Sequence, residues 1–297
     1  MCNTCPEHSH RHEAGLTSRA HGDDFRVVVT GKGGVGKTTL TALLARMLAR
    51  RHYRVLALDA DPQMNLPYAL GTPFEQARQL VPLSENADYV EEKTGARPGD
   101  GWGLFFRLNP DVDDVVDRFG IRAPDEVRLL VMGNTVQPAA GCLCPENSLL
   151  AAVANAVSLR RNEAILMDTQ AGFEHFGRAL AKGFRHAVVV SDPSFNGVQV
   201  ALQTARLARE LGIAHIHFVV NRARSEADFA RALARIDDQG GFHFTSRHWL
   251  PEDRLLPEIE PDVGELLDGR PTPFCIPLDR LLDALLAEEP ELLQCAS

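Results

Sequence analysis

One stretch near the start of the chain limits what it can fold into more than any other. Residues 30–39 read TGKGGVGKTT; they follow a short apolar run, 25–29, and lead into a helical pattern over 40–48. A strand, a glycine-rich loop and a helix in succession form the context that the G-x-x-x-x-G-K-[ST] motif requires. The glycines let backbone N–H groups surround phosphate oxygens at a helix N-terminus, which already favours an anion. The sequence therefore predicts a nucleotide site rather than an ordinary turn.

We expect this loop to supply most of the nucleotide contacts. Lys37 should reach the β- and γ-phosphates of ATP, and the Thr38 hydroxyl should bind Mg²⁺. The residues predicted to bind the nucleotide from the loop itself are Gly31, Lys32, Gly33, Gly34, Val35, Gly36, Lys37, Thr38 and Thr39. ATP and Mg²⁺ are therefore the expected cofactors.

Acidic residues follow two further apolar runs. Asp59 and Asp61 come at the end of a second predicted strand, 54–58, and Asp168 ends another, 164–167. Because ligands of a parallel sheet bind at the carboxyl ends of its strands, these carboxylates should lie beside the phosphates. One acid can order Mg²⁺ and its waters, while another can orient or deprotonate the attacking water. The alternative for the first pair is that aspartate simply forms the turn.

Apolar strands and helical patterns alternate along the rest of the chain. Further strands are predicted over 127–133, 187–190, 215–220 and 241–245. Such alternation is typical of parallel strands joined by right-handed crossovers. The expected fold class is α/β: a P-loop NTPase with a mostly parallel sheet flanked by helices on both faces. Residues 71–125 interrupt the pattern, and we interpret them as an insertion without direct chemistry, with short helices near 75–80 and 112–119.

Asn221 ends the predicted strand 215–220 late in the chain. A side-chain amide at the carboxyl end of that strand is well placed to hydrogen-bond the edge of the nucleotide base. The alternative is a solvated turn residue. We therefore add Asn221 and Asp59 to the predicted cofactor-binding residues.

Composition excludes several classes of partner. The net charge of −9 and the pI near 5.7 argue against nucleic acid, because phosphate backbones are bound by clustered Lys and Arg. No apolar run approaches the roughly 20 residues that span a bilayer, and the N-terminus does not resemble a signal peptide. We therefore expect a cytoplasmic protein without a membrane partner, whose six cysteines are thiols or metal ligands.

Residues 1–24 differ in composition from the predicted ATPase domain over 25–297. This tail has almost no apolar content and cannot build a core. It nevertheless carries a group of residues typical of Zn²⁺, Ni²⁺ or Cu sites. The candidate ligands are Cys2, Cys5, His8, His10 and His12. The alternative is a mobile tail whose histidines have no role.

Cys142 and Cys144 form a Cys-x-Cys pair just before a predicted helix, 148–158. A helix N-terminus lowers the pKa of such thiols toward thiolate. Two sulfurs are too few for a tetrahedral soft-metal site, which takes four ligands, but a symmetric dimer would supply the pair twice. Four thiolates suit Zn²⁺ or Ni²⁺. The alternative is that both are ordinary buried cysteines.

Lys32, the additional lysine near the start of the loop, indicates which class of P-loop ATPases the sequence resembles. The sequence from Lys32 to Thr39, KGGVGKTT, resembles the deviant Walker A motif of dimeric ATPases that include nitrogenase iron protein and the septum-positioning and plasmid-partition ATPases. This resemblance implies that Lys32 reaches the partner's phosphates across a homodimer that sandwiches the nucleotides. It also implies that Asp59, Asp61 and Asp168 handle Mg²⁺ and water, with Asp61 positioning the attacking water. The predicted catalytic residues are Lys32, Lys37, Asp61 and Asp168.

Two further motifs, GCLCPEN over 141–147 and DTQAGFEHFGR over 168–178, resemble those of the carbon monoxide dehydrogenase accessory ATPases. Members of that group load nickel into the Ni–Fe–S cluster of the enzyme. The resemblance implies that Cys142 and Cys144 bind nickel or zinc at a dimer interface. It also implies a client metalloenzyme, namely carbon monoxide dehydrogenase.

The motifs are also compatible with other functions. The chain could mature a different metalloenzyme, or its tail could simply store metal. An electron-transfer reductase with a bridging Fe–S cluster would instead place its cysteine ligands on separate loops. A positioning ATPase that acts on membrane or DNA needs a basic C-terminal helix or a basic face, whereas residues 278–291 are acidic.

Overall fold

The computed structural model describes residues 25–97, 107, 110–133, 145–156, 163–171, 183–269 and 272–288. The predicted tail, 1–24, lies outside these residues. The strands are β1 (Phe25–Gly31), β2 (Arg54–Ala60), β3 (Ile121–Arg122), β4 (Arg128–Val131), β5 (Glu163–Thr169), β6 (His186–Ser191), β7 (His215–Ala223) and β8 (Ser246–Pro251). The α-helices are α1 (Lys37–Arg50), α2 (Leu66–Ala69), α3 (Phe74–Arg78), α4 (Ala87–Thr94), α5 (Val115–Phe119), α6 (Pro145–Ala156), α7 (Phe195–Glu210), α8 (Glu226–Asp237), α9 (Leu256–Ile259), α10 (Glu265–Asp268) and α11 (Cys275–Ala287).

The described strands form one eight-stranded sheet in the order β3-β4-β2-β5-β1-β6-β7-β8. Every neighbouring pair is parallel except β3 and β4, which are antiparallel. From β1 the chain first builds one half of the sheet and later returns to build the other half from β6. This change of direction opens a crevice at the carboxyl end of β1, where ligands of such sheets bind.

Both faces of the sheet are covered, and this explains the composition of the strands. Every residue of β1 is buried, as expected for a parallel strand with helices on either side. One apolar cluster packs α1 and α11 against the sheet, with Leu44 and Leu282 among its members. The other packs α6, α7 and α8 on the opposite face, with Leu150 and Leu202 among its members. The predicted fold class is confirmed.

Two expectations about the elements need correction. The last strand is not 241–245 but β8: Gly240 and Gly241 turn the chain with φ of 88° and 67°, and Phe244 then stacks on Phe218 at 5.0 Å instead of joining the ladder. The region 71–125 is also more than an insertion. Its helices α3 and α5 lie where short helices are expected, near 75–80 and 112–119, and α4 lies between them. The region also buries apolar side chains in the core on the α6 face; these are Leu83, Tyr89, Val90, Val112 and Val115.

Histidines are packed together at the amino ends of β6, β7 and β8. His186 Nδ1 lies 3.2 Å from His217 Nε2, and His217 Nδ1 lies 2.7 Å from Ser246 Oγ, which also contacts His248 Nε2. Burial is the main cause that lowers the pKa of both His186 and His217 to about 3, and the charges of neighbouring His and Arg side chains add to it. Both imidazoles are therefore neutral in the folded protein at neutral pH.

This cluster predicts a stability that falls with acid. The unfolded chain binds protons at these two histidines below pH about 6.5, whereas the folded chain binds them only near pH 3. Their contribution is complete above pH 6.5 and is lost as the pH falls, by on the order of 1 kcal/mol per pH unit for each histidine. We expect His217→Gln to flatten the decline of the free energy of unfolding between pH 7 and 5, as measured by urea titration.

The raised pKa values of Asp59 and Asp168 act in the opposite direction, because they make the free energy of unfolding rise as the pH falls. Both residues are present in the variant and in wild type, so their effect cancels when the two slopes are compared. His243→Gln, which changes an exposed histidine, serves as the matched control and should leave the slope unchanged. An identical slope in His217→Gln and wild type would contradict the prediction.

Candidate nucleotide site

The glycine-rich loop connects β1 to α1 and is held tightly between neighbouring strands. A Cβ at Gly31 would lie 2.1 Å from the carbonyl oxygen of Val190 on β6, so a side chain there cannot be accommodated. Gly36, the residue before α1, has a left-handed φ of 94°, and a Cβ there would lie 2.5 Å from Asn221 Nδ2. The loop thus follows a path that only glycine allows at these two positions.

The side chain of Lys37 packs against the glycine-rich loop that precedes it in the sequence. Its side chain is buried, and Nζ donates a hydrogen bond to the carbonyl oxygen of Lys32 at 3.2 Å. Burial lowers the pKa of Lys37, while the charges of Asp168 and Asp61 act to raise it. A buried cation within a glycine-rich loop, with acids nearby, suits the phosphates of a nucleotide accompanied by a divalent metal.

Thr38 and Asp168 are brought together as the sequence predicts. Thr38 Oγ1 donates to Asp168 Oδ2 at 2.6 Å, which joins the first turn of α1 to the end of β5. Asp168 is fully buried, and its Oδ1 has no hydrogen-bond partner among the described residues. Burial raises the pKa of Asp168 to about 7, although Thr38 and Lys37 act in the other direction. A buried carboxylate oxygen without a partner, beside a threonine hydroxyl, fits Mg²⁺ and its water ligands.

Asp59 braces the segment that carries Asp61. Asp59 Oδ1 accepts a hydrogen bond from the Asp61 N–H at 3.0 Å, and its Oδ2 accepts from the Leu66 N–H at 3.1 Å. Asp59 pairs in register with Asp168 on the adjacent strand, and burial, followed by the charge of Asp168, raises its pKa well above the usual range. A role of Asp59 toward Mg²⁺ therefore stays a prediction, alongside its observed bracing of the backbone.

Asp61 itself is only half-buried, and its Oδ1 accepts from the Gln63 N–H at 2.9 Å. Its charge acts on both Lys37 and Asp168, so the three groups share one site. The geometry is compatible with a carboxylate that orients water at the rim of the site. That role stays a prediction.

The Lys32 side chain lies near the end of β6. Its Nζ lies 3.7 Å from Asp192 Oδ2, and 40% of the Lys32 side chain is exposed. Burial tends to raise the pKa of Asp192, but hydrogen bonds from Ser194 and the charge of Lys32 hold it below its ordinary value. No role was predicted for Asp192, because the sequence does not show the sheet order that sets β6 beside β1 and its loop.

A cleft of about 690 Å³ adjoins Lys32 and Asp192. Four arginines line this cleft, and none of them was predicted as a site residue; they are Arg222, Arg224, Arg231 and Arg235. The last two are separated by one helical turn on α8 and so share a face, a spacing that is visible in the sequence. Only the fold shows that this face turns toward the P-loop.

The predicted metal ligands for nickel or zinc cannot be placed. Cys142 and Cys144, like Cys2, Cys5, His8, His10 and His12, lie outside the described residues. The described part of the chain contains no group of three or more His, Cys, Asp or Glu side chains that could hold a metal ion. It also contains no helix long and apolar enough to cross a membrane.

Substitution of Asp168 tests whether its unpartnered carboxylate oxygen binds Mg²⁺. We expect Asp168→Asn to lower Mg²⁺-dependent ATP hydrolysis by about 100-fold or more, since metal stabilisation of phosphoryl transfer is worth several kcal/mol. The affinity for ATP in Mg²⁺ should fall toward the value measured in EDTA, as followed by calorimetric titration. Asp88→Asn, which alters an 89% exposed carboxylate, is the control and should retain both properties. Full Mg²⁺ dependence in Asp168→Asn would contradict the assignment.

Comparison with known proteins supports a nucleotide-binding domain. Residues 26–260 match the family model of the CobQ/CobB/MinD/ParA nucleotide binding domain. The carbon monoxide dehydrogenase accessory protein CooC of Rhodospirillum rubrum is 39% identical over 213 residues, which cover 72% of this chain and 80% of that protein. An uncharacterized ATP-binding protein of Methanocaldococcus jannaschii is 37% identical over 202 residues, covering 68% of this chain and 76% of that protein.

Solved structures share the fold at lower identity. The septum site-determining protein MinD of Pyrococcus horikoshii, complexed with Mg-ADP, superposes with a TM-score of 0.62 at 20% identity over 93% of this chain and 99% of that one. Fold, loop and relatives agree. The chain belongs to the CobQ/CobB/MinD/ParA nucleotide-binding family and is an ATPase related to the carbon monoxide dehydrogenase accessory proteins.

Proposed function

We propose that this chain is a dimeric, MgATP-hydrolysing metallochaperone and maturation factor. It binds nickel or zinc through Cys142 and Cys144 and helps to insert nickel into a metalloenzyme, with carbon monoxide dehydrogenase as the client. The observation that carries the proposal is the 39% identity to a carbon monoxide dehydrogenase accessory protein, 80% of which is covered. The ATPase part is supported by the buried Lys37 and Asp168 beside the glycine loop and by the hydrogen bond from Thr38 to Asp168.

Hydrolysis would use groups that are already arranged around the loop. The loop amides and Lys37 hold the phosphates, while Thr38 and Asp168 hold Mg²⁺. Bound Mg²⁺ supplies charge neutralisation at the phosphoryl group. Asp61, half-buried at the rim, accepts a hydrogen bond from the attacking water and orients it toward the γ-phosphate.

The dimer would be controlled by Lys32. Its ion pair with Asp192 is long, at 3.7 Å, and partly exposed, so the pair adds little stability and separates at small cost. We propose that Lys32 exchanges Asp192 for the phosphates in the partner subunit when ATP is bound. Nucleotide state then sets the arrangement of the two subunits, and therefore the distance between their thiol pairs.

Metal and nucleotide affinities would be linked in this dimer. Two Cys-x-Cys pairs supply four thiolates to one metal ion on the two-fold axis. If ATP favours the closed dimer and the closed dimer favours the metal, then the metal must favour the closed dimer by the same factor. Hydrolysis loosens the dimer and releases the ion to the client.

The paired thiols give a direct test. We expect Ni²⁺ or Zn²⁺ to shift wild type toward dimer in sedimentation velocity, and the Cys142→Ala/Cys144→Ala variant to lose that shift while retaining ATP binding. Cys275→Ala is the matched control, because Cys275 is a half-buried cysteine at the start of α11 and lies outside the proposed site. An unchanged metal-induced dimer in the double variant would exclude the interfacial site.

The tail, 1–24, is proposed as a separate metal-binding segment that precedes the ATPase domain. Deleting it should lower the metal bound per dimer, counted by atomic emission, through the loss of Cys2, Cys5, His8, His10 and His12. Because the interfacial thiols remain, the metal-induced shift toward dimer should persist in the truncated protein. If the truncated protein no longer dimerises with metal, the tail rather than the Cys-x-Cys pair carries the coupling.

A further inference from the structure

Asn221 is fixed at both ends of its side-chain amide. Its Nδ2 donates to the carbonyl oxygen of Val35, in the middle of the glycine loop, at 2.8 Å, and its Oδ1 accepts from the Arg222 N–H at 2.9 Å. Only 7% of Asn221 is exposed. Each half of the amide therefore already has a partner within the protein, and one partner belongs to the phosphate-binding loop, 186 residues away in the sequence.

The backbone around Asn221 is shaped to aim this side chain. The ladder between β7 and β8 shifts register between Val220 and Ala223, which is a β-bulge. Arg222, within the bulge, has a left-handed φ of 57°. Bulges beside active sites redirect a side chain out of the regular alternation of the strand. Here the hydrogen bond to the Arg222 N–H stabilises the bulge, and the bulge turns the amide toward the loop.

The backbone of the loop at Gly36 lies directly beside the Asn221 amide. A Cβ at Gly36 would lie 2.5 Å from Asn221 Nδ2 and 3.8 Å from its Cγ, so the amide is in contact with the backbone just before α1. Val35 is 1% exposed, and its side chain is part of the apolar cluster under α1. The Val35 carbonyl oxygen is thus held from one side by packing and from the other by Asn221.

We propose that Asn221 is a positioning residue for the phosphate-binding loop. It acts through Val35 and Gly36, which set the direction of the amides that surround the phosphates. Loss of this hydrogen bond leaves a buried carbonyl without its partner, and a loop that can relax loses part of its preorganisation. This role differs from the base-edge role that the sequence predicts for Asn221, and the two have separable consequences.

Ligands that do and do not carry a base separate the two roles. Affinities of the full-length chain for MgATP, MgGTP and magnesium tripolyphosphate are measured by calorimetric titration. If Asn221 positions the loop, Asn221→Ala weakens all three by a similar factor, about tenfold, and leaves the ratio of ATP to GTP affinity unchanged. If Asn221 reads the base, the tripolyphosphate affinity stays at the wild-type value and the ATP to GTP ratio falls, which overturns the proposal.

Two further variants protect the test against simple misfolding. Asn221→Ser keeps a hydroxyl donor near the Val35 carbonyl oxygen and should recover part of the lost tripolyphosphate affinity. A loss that is equal in Asn221→Ser and Asn221→Ala speaks against the hydrogen bond as the cause. Gln203→Ala, on the exposed face of α7, is the control for substitution at a distance and should match wild type for all three ligands.

A double-mutant cycle with Gly36→Ala provides a readout that needs no ligand. The added Cβ meets Asn221 Nδ2 in the wild-type background but finds space when residue 221 is alanine. The loss of unfolding free energy caused by Gly36→Ala should therefore be smaller in the Asn221→Ala background, because the cost of the left-handed φ is common to both. Additive losses would show that the amide does not press on the loop and would overturn the proposal.

Discussion

The phosphate-binding loop is held at three positions by the ends of neighbouring strands. The end of β6 presents the Val190 carbonyl oxygen to Gly31, β7 presents Asn221 to Gly36, and β5 presents Asp168 to Thr38. Each contact lies at the carboxyl end of a parallel strand, so the sheet order itself determines which residues meet the loop. A preorganised set of amides is what an anion site requires, since nothing must rearrange when the phosphates arrive.

The same closure creates an electrostatic problem that a divalent cation would solve. Asp59 and Asp168 are fully buried on adjacent strands, and burial raises the pKa of both. Asp59 is stabilised by two backbone N–H donors, whereas Asp168 retains an oxygen without a partner among the described residues. The two carboxylates therefore differ in kind. One holds the chain that leads to Asp61, and the other offers a free ligand atom to Mg²⁺.

Part of this arrangement could be predicted from the sequence. The glycine motif is recognised by its spacing, and the acids at the ends of β2 and β5 are expected beside it because ligands bind at the carboxyl ends of parallel strands. Contacts that depend on the sheet order or on irregular backbone could not be predicted. Nothing near Asn221 indicates that a β-bulge turns its amide toward Val35, and Phe244 reads as a strand residue although it stacks on Phe218. Residues 71–125 lack a clear period because their helices are short, yet they bury Tyr89 and Leu83 in the core.

These contacts also indicate which part of the site is free to report the nucleotide state. Gly31, Gly36 and Thr38 are each held by a neighbouring strand, and Lys37 is enclosed by the loop. Lys32 alone among the lysines of the loop is substantially exposed, and its pair with Asp192 is the weak, solvent-screened kind. In the proposed dimer, hydrolysis of the γ-phosphate would therefore cause little movement of these held residues within the same subunit. Lys32 is the exposed cation of the loop, and in the proposed dimer it is the group that would carry the signal to the partner.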